Sequence, residues 1–316
     1  MKQLKTVLRR FFVLVGILIA YVIVFHTYRD IPLQELKDKY TNEASEFVSL
    51  MGMNVHYRDE GIKEDSIPIV LIHGTGSSLH TFEDWVSVLK KERRVLTMDI
   101  PAYGLTGPFP DRDYSTGHYV EFINEFIKTL GIEQCVLGGN SLGGRIAWSF
   151  ALEHPEAIDK LILIDASGYP AKDSNTPLAF RMAEVPLINN IFKYVTPKFV
   201  ARSSVETCYA DNSKVSDELA ERYFELTLRE GNRQAFVDRL VAGHDTSAYH
   251  RISDIQHPTL VLWGDKDELF PEEHAHRFSE DLANDTLVIM KDIGHVPMEE
   301  SPMESVQAVL SFLKRN

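Results

Sequence analysis

The chain has very little cysteine and no excess of positive charge. Its 316 residues include only two cysteines, Cys135 and Cys208, which are too few for a disulfide framework. No C-x-x-C pair or His/Cys cluster occurs, so the sequence predicts no metal site. Asp and Glu (46 residues) outnumber Lys and Arg (33 residues), and the formal net charge of −13 argues against nucleic acid as a partner.

Long apolar sequence is confined to the amino terminus. Phe11–Phe25 contains only apolar or small residues, and no charge follows before Arg29, which leaves about 18 uncharged residues. The basic residues that precede this run are Lys2, Lys5, Arg9 and Arg10. They favour a cytoplasmic amino terminus, and the end of the run offers no small-residue cleavage site. We therefore expect residues 1–28 to form an uncleaved single-pass membrane anchor, with the rest of the chain on the non-cytoplasmic side. A cleaved signal peptide, which would give a secreted protein, and a buried core helix are the alternatives.

After the predicted anchor, residues 29–46 are charged and helix-prone, and we interpret them as a linker. Beyond the linker, short apolar runs alternate with helical patterns. The strand candidates are Phe47–Leu50, Met53–Tyr57, Ile69–Ile72, Val95–Ile100, Cys135–Leu137, Leu161–Ile164, Leu260–Trp263 and Leu287–Met290. Continuous apolar runs are typical of parallel strands that are covered on both faces. The alternation predicts an α/β fold with a doubly wound, mostly parallel sheet.

One long stretch interrupts this alternation. Residues 171–250 contain no convincing buried strand, but they include apolar helical segments at Leu178–Phe192, Leu219–Leu228 and Phe236–Leu240. An insertion of about 80 residues is too long for a simple connection. We interpret it as a helical cap inserted after the sixth strand, above an apolar pocket, which divides the core into residues 47–170 and 251–316. A helical subdomain with no role in binding is the alternative.

The sequence Gly139-Asn140-Ser141-Leu142-Gly143 carries the main chemical signal. It lies between a strand candidate and a helical stretch, where G-x-S-x-G forms a nucleophile elbow. Glycines two positions before and after the serine remove collisions in this tight turn and leave the hydroxyl exposed. The Leu142 N–H, at the start of the helix, is a candidate oxyanion donor. Other glycine-rich turns produce the same pattern, so the assignment requires partners elsewhere in the chain.

The partners of a serine nucleophile are a base and an acid that orients the base. His295 is the best base among the 12 histidines because it directly follows the last strand candidate. Asp267, in the turn after Leu260–Trp263, is the preferred acid. Asp265, in the same turn, and Asp165, after Leu161–Ile164, are the alternative acids.

The loop after Ile69–Ile72 is a candidate source of a second oxyanion donor. It reads His73-Gly74-Thr75-Gly76-Ser77-Ser78, and its glycines allow the Thr75 N–H to approach a developing negative charge. His73 itself is expected to support the loop. A phosphate-binding loop is the competing interpretation, but neither G-x-x-x-x-G-K-[ST] nor G-x-G-x-x-G spacing is present.

These motifs, together with Asp99–Gly104 and Gly294–Pro297, occur in an order that resembles the α/β-hydrolase superfamily. The resemblance covers about residues 47–316, and the layout is similar to capped bacterial esterases and lipases, some of which have an amino-terminal membrane segment. It implies the α/β-hydrolase fold and acyl transfer without a cofactor. Ser141 would attack an ester carbonyl, His295 would transfer the proton, Asp267 would orient His295, and water would release the acyl-enzyme.

The sequence thus predicts a serine hydrolase of carboxylic esters, with a lipid or other small apolar ester as its substrate. Family members that cleave halides or epoxides have aspartate where this chain has Ser141. The elbow also resembles that of carbon–carbon bond hydrolases of the meta-cleavage type, which are the alternative enzymes. Those usually have Gly-Pro in the oxyanion loop and Trp after the base, where this chain has Thr75-Gly76-Ser77 and Val296. A non-catalytic binding protein on the same fold is the third possibility, although no triad member is missing.

Overall fold

Eight strands of the described chain form one sheet in the order β1-β2-β4-β3-β5-β6-β7-β8. The computed structural model describes residues 2–170, 180–181, 185, 189, 193–243 and 248–315. The strands are β1 (Ser45–Leu50), β2 (Met53–Gly61), β3 (Ile69–Ile72), β4 (Arg94–Met98), β5 (Cys135–Asn140), β6 (Ile158–Ile164), β7 (Thr259–Gly264) and β8 (Asp285–Met290). β2 pairs antiparallel with β1 and β4, and the pairs from β4 to β8 are parallel. The predicted mostly parallel sheet is confirmed.

Helices cover both faces of this sheet. The described helices are α1 (Lys2–His26), α2 (Leu33–Tyr40), α3 (Glu83–Leu89), α4 (Thr116–Thr129), α5 (Leu142–Glu153), α6 (Lys198–Glu206), α7 (Asp217–Thr227), α8 (Asn232–Val241), α9 (Glu273–Asp281), α10 (Pro297–Glu300) and α11 (Pro302–Leu313). Helices α4, α5 and α9 contribute to the core on one face, and α3 and α11 contribute to the core on the other. Strands β3, β5 and β7 are buried along their whole length, which explains their continuous apolar sequence.

The described elements between β6 and β7 are helical. Helices α7 and α8 coincide with the predicted segments Leu219–Leu228 and Phe236–Leu240 within a few residues at each end. Most of the predicted segment Leu178–Phe192 lies outside the described residues. The insertion follows the sixth strand, as the sequence indicates, and its helices pack beside the carboxyl-terminal part of the core through Val205 and Ala220.

The predicted membrane anchor is not supported. In the part of the chain that the structure describes, no helix is both long enough and apolar enough to cross a membrane.

The segment predicted as a linker packs against the domain. It contains helix α2, in which Leu36 is buried against Leu226 of helix α7. Glu225, next to Leu226, accepts hydrogen bonds from Tyr40 Oη and Lys39 Nζ, each at 2.6 Å. Helix α2 therefore holds one side of the helical insertion.

A buried carboxylate, Asp99, joins the loops that follow β3 and β4. Its oxygens accept hydrogen bonds from the N–H groups of Leu79 and Leu105, both at 2.8 Å, and Oδ2 lies 2.7 Å from His56 Nδ1. Burial opposes ionisation, but the neighbouring His56 outweighs it and holds the pKa of Asp99 well below the ordinary value. Gly104 has φ +52°, and a β-carbon there would collide with the Asp99 carboxyl group. This contact explains why Asp99 and Gly104 occur together in the sequence motif.

Replacing Asp99 with alanine should lower the free energy of unfolding at neutral pH by about 3–5 kcal/mol, because the buried His56 and two N–H groups lose their acceptor. The loss should shrink in acid, since a carboxyl group with a lowered folded pKa stabilises above its unfolded pKa and loses this effect as pH falls through the folded value. Urea unfolding between neutral and acidic pH measures both effects. The exposed control Asp84→Ala should stay within about 0.5 kcal/mol of wild type. Equal losses in the two variants would contradict this role of Asp99.

Candidate active site

Ser141 occupies a strained turn between β5 and α5. Its backbone has φ 56° and ψ −113°, and positive φ is uncommon outside glycine. A β-carbon on Gly139 would collide with the Gly143 backbone, and one on Gly143 would collide with the Ile72 carbonyl of β3. The two glycines therefore permit α5 to start against β3 and β5. Ser141 is partly exposed at this turn, whereas Asn140 and Leu142 on either side are buried.

The loop after β3 lies directly beside Ser141. A β-carbon on Gly74 would lie 3.1 Å from Ser141 Cβ. The next residue is Thr75, the predicted oxyanion donor. Among the described residues, neither the Thr75 N–H nor the Leu142 N–H donates a hydrogen bond. Both donors are thus available to a ligand oxygen beside Ser141.

His73 supports this loop from below. It is fully buried, its Nε2 accepts a hydrogen bond from the Ile100 N–H at 3.1 Å, and its Nδ1 donates to the Gly74 carbonyl at 2.8 Å. Burial lowers the pKa of His73, which favours this neutral form with one donor and one acceptor nitrogen. Its contacts are those of a loop support, as the sequence predicts.

The structure brings His295 and Asp267 into contact. His295 Nδ1 and Asp267 Oδ2 are 2.7 Å apart, and both side chains are buried. The other oxygen of Asp267 accepts hydrogen bonds from the N–H groups of Leu269 at 2.7 Å and Phe270 at 3.1 Å. An ionised carboxylate only accepts hydrogen bonds, so Nδ1 carries the hydrogen and Nε2 is left with a lone pair. This is the tautomer that a general base requires.

The two alternative acids lie in different surroundings. Asp265 accepts a hydrogen bond from the Asp292 N–H at 2.6 Å and pairs with Lys266 at 3.1 Å, so local contacts hold it in the turn. Asp165 is buried near Asp267 and His295, and one polar atom from each of these three residues lies within 4.8 Å of the others. Such spacing also fits a metal site. Because His295 Nδ1 is already bonded to Asp267, we interpret the three as a hydrogen-bonded cluster.

Two residues that position the loop around His295, Asn140 and Glu300, are not predicted from the sequence. Asn140 donates from Nδ2 to the His295 carbonyl at 2.9 Å and so connects the end of β5 to the loop that carries His295. Its polar side chain at the end of a buried strand was an available signal. Glu300 accepts a hydrogen bond from the Gly294 N–H at 2.7 Å, next to His295. No local pattern marks Glu300, because its other partners, the N–H groups of Ala210 and Asp211, lie in a distant segment.

The helical insertion contacts the base loop directly. The His295 N–H donates to the Cys208 carbonyl at 2.8 Å, in the turn after α6. Glu300 also accepts from the N–H groups of Ala210 at 3.2 Å and Asp211 at 2.8 Å. The insertion and the base are therefore joined by backbone hydrogen bonds.

A narrow cavity of about 80 Å³ lies between the loop after β3 and the helices of the insertion. Its lining consists of Thr75, Gly76, Phe180, Thr196, Val200, Ala201, Ser204, Val205, Cys208, Tyr209, Tyr223, Thr227 and Phe236. The described lining includes no Lys, Arg, His, Asp or Glu. The cavity thus suits an uncharged, mainly apolar group that extends from Thr75.

Known proteins share this arrangement to different extents. The 2-hydroxymuconate semialdehyde hydrolase of Pseudomonas sp. (strain CF600) is 27% identical over 272 residues, which cover 83% of this chain and 91% of that protein. A solved meta-cleavage product hydrolase is 24% identical with a TM-score of 0.74, over 86% of this chain and 98% of its own. A solved membrane phospholipase A is 24% identical with a TM-score of 0.72, over 99% of this chain and 98% of its own. At these identities, the two solved structures show a shared fold.

The family assignment rests on a match to most of the chain. The alpha/beta hydrolase fold model matches residues 67–302, which include β3 to β8, the Ser141 turn and the His295 loop. The resemblance expected from the sequence motifs is confirmed at this level. The chain belongs to the alpha/beta hydrolase fold family.

Proposed function

We propose that the protein is a serine hydrolase that cleaves carboxylic esters with an apolar acyl group. The observation that carries this proposal is the buried hydrogen bond of 2.7 Å between His295 Nδ1 and Asp267 Oδ2, in a loop tied to the Ser141 turn. In this proposal Ser141 is the nucleophile, and the N–H groups of Thr75 and Leu142 bind the oxyanion. All of these groups come from the chain itself, so the proposed reaction requires no cofactor.

The proposed reaction has two halves. Ser141 Oγ attacks the ester carbonyl while His295 Nε2 takes its proton, and the carbonyl oxygen becomes negative beside the Thr75 and Leu142 N–H groups. His295 then gives the proton to the departing alcohol, which leaves an acyl-serine. Water attacks the acyl-serine with His295 again as the base, and the acid is released. Asp267 stays ionised and stabilises the imidazolium in both halves.

Carbon–carbon bond cleavage is the second candidate, because several relatives carry that activity in their names. The muconate semialdehyde named for one relative keeps a carboxylate group, whereas the described lining of the cavity offers no cationic side chain to pair with it. Val296 after the base and Thr75-Gly76 in the oxyanion loop also differ from the usual residues of those enzymes. These features favour ester hydrolysis over carbon–carbon bond cleavage.

Labelling and turnover with model substrates test the proposed function. A fluorophosphonate reagent should modify wild type at Ser141 and should not modify Ser141→Ala at that position, because the reagent requires the activated hydroxyl. Turnover of p-nitrophenyl acyl esters should exceed that of a 2-hydroxy-6-oxo-dienoate, and kcat/KM should rise from acetyl to longer acyl chains. Absence of labelling and ester turnover would refute the proposal. Preference for the dienoate would support the second candidate. A sharp preference for acetyl esters would contradict the proposed apolar acyl group.

The adjacent pair Asp267 and Asp265 offers a matched test of the acid. Asp267→Asn should lower kcat by roughly 10³–10⁴-fold, because an amide cannot hold His295 in the tautomer that leaves Nε2 basic. Asp265→Asn changes the same atoms in the same turn without touching His295, and its kcat should remain near that of wild type. Circular dichroism should show both variants folded. An active Asp267→Asn beside an inactive Asp265→Asn would reverse the assignment.

For the location of the protein, we propose attachment to a membrane through α1, with a cytoplasmic amino terminus and the catalytic domain on the other side. The basic residues before the apolar run support this orientation. Phe11, Phe12, Leu14 and Ile17 are exposed, which also fits contact with lipid. No helix among the described residues is both long enough and apolar enough to cross a membrane, so this proposal rests on the sequence alone. Protease digestion of sealed cells should degrade the domain, and its protection until lysis would contradict this orientation.

A further inference from the structure

Asp165 is a buried carboxyl group that the proposed reaction does not use. It follows β6, is fully buried, and has φ 42°. Its Oδ1 accepts a hydrogen bond from the Gly264 N–H at 3.0 Å. Its Oδ2 is buried as well and has no donor among the described residues. Burial of a charged acceptor oxygen without a hydrogen-bond donor is energetically unfavourable. This cost favours the protonated form of the Asp165 carboxyl group.

The groups that face Asp165 come from four other segments, and those that can be charged are mainly acidic. They are Asp267 after β7, His295 after β8, Glu300 in α10 and the Cys208 thiol after α6. A carboxyl oxygen of Asp165 lies within 4.8 Å of one of Asp267. Two neighbouring buried carboxyl groups cannot both ionise without a cation, so they share one proton.

The hydrogen bonds of Asp165 and Asp267 indicate which of the two carboxyl groups holds that proton. Asp267 accepts hydrogen bonds from His295 Nδ1 and from the N–H groups of Leu269 and Phe270, all of which favour its ionised form. Asp165 accepts a single hydrogen bond, from Gly264. Burial and the neighbouring Asp267 charge raise the pKa of Asp165 well above its ordinary value. The neutral acid is therefore Asp165.

We propose that Asp165 is a positioning residue of the same reaction, whose protonated Oδ2 donates a hydrogen bond to Asp267 and holds that carboxylate against His295 Nδ1. This inference rests on the proposed function, because it adds a fourth member to the proposed triad. The proton stays on Asp165 throughout the reaction. Its hydrogen bond fixes the orientation of the Asp267 carboxylate.

Two substitutions of Asp165 distinguish a role in hydrogen-bond donation from a role in filling a buried space. Asp165→Asn keeps a donor of similar size, so kcat/KM for a p-nitrophenyl ester should stay close to wild type at neutral pH. Asp165→Ala removes the donor, and kcat should fall by about 10²-fold with little change in KM, because the base is misplaced rather than the substrate. Asp159→Asn, near the start of the same strand and partly exposed, is the matched control and should match wild type in every measurement.

The pH dependence of kcat/KM distinguishes the proposed role of Asp165 from a purely structural role, which would leave this dependence unchanged. In wild type, kcat/KM should fall as the pH rises through the folded pKa of Asp165, because the donor proton is lost and two carboxylates then repel each other. Asp165→Asn has no proton to lose there, so its alkaline limb should shift to higher pH. An Asp165→Ala enzyme as active as wild type, or an Asp165→Asn enzyme with an unshifted limb, would overturn the inference.

Unfolding in urea gives a measurement that does not depend on activity. A carboxyl group with a raised folded pKa binds more protons in the native state, so its contribution to stability is present below its unfolded pKa and is lost as pH rises through the folded pKa. The unfolding free energy of wild type relative to Asp165→Asn should thus fall as pH rises from acid to neutral. A difference independent of pH would refute the assigned proton, even if Asp165→Ala fails to fold. If instead this slope is present while wild type neither labels nor turns over esters, the proposed function is wrong and the proton assignment stands.

Discussion

The close approach of helix α5 to strand β3 is the constraint on which the rest of the site depends. The Ile72 carbonyl leaves no room for a β-carbon at Gly143, and the Gly143 backbone leaves none at Gly139. This packing brings the start of α5 to the end of the sheet where the β3 loop emerges, and it forces Ser141 into a positive φ. Ser141 and the N–H groups of Thr75 and Leu142 are therefore placed by backbone contacts.

Buried acidic side chains connect the loops around this turn, and each accepts hydrogen bonds from backbone N–H groups. Asp99 joins the loops after β3 and β4, Asp267 holds its own turn and His295, and Glu300 joins Gly294 to the helical insertion. Each of these carboxyl groups accepts several hydrogen bonds from segments that are far apart in sequence. The formal net charge of −13 gives no hint of this, because it does not distinguish these internal ties from solvated surface.

Features that depend on local sequence could be predicted, and those that depend on distant partners could not. The parallel strands are recognisable because burial on both faces requires continuous apolar residues, although β5 extends past Leu137 to Asn140 through glycines that no apolar pattern marks. Helix α2 looked like a linker because a single residue, Leu36, provides its burial. The sequence indicates Asp165 only as an alternative acid, since its proximity to Asp267 depends on how β6 and β7 lie side by side.

Backbone contacts between the loop that carries His295 and the turn at residues 208–211 tie the helical insertion to the core. Gly294 lies so near Cys208 and Ala210 that a β-carbon would meet their backbone atoms at 2.5–2.8 Å, and His295 donates its own N–H to Cys208. Evolution can vary the cavity lining of the insertion without disturbing these contacts. It cannot exchange the insertion as an independent block, because a transplanted one must present the same carbonyl and N–H groups to the base loop. Side-chain changes in the cavity lining thus leave these contacts in place, whereas a change in the backbone path of the turn would break them.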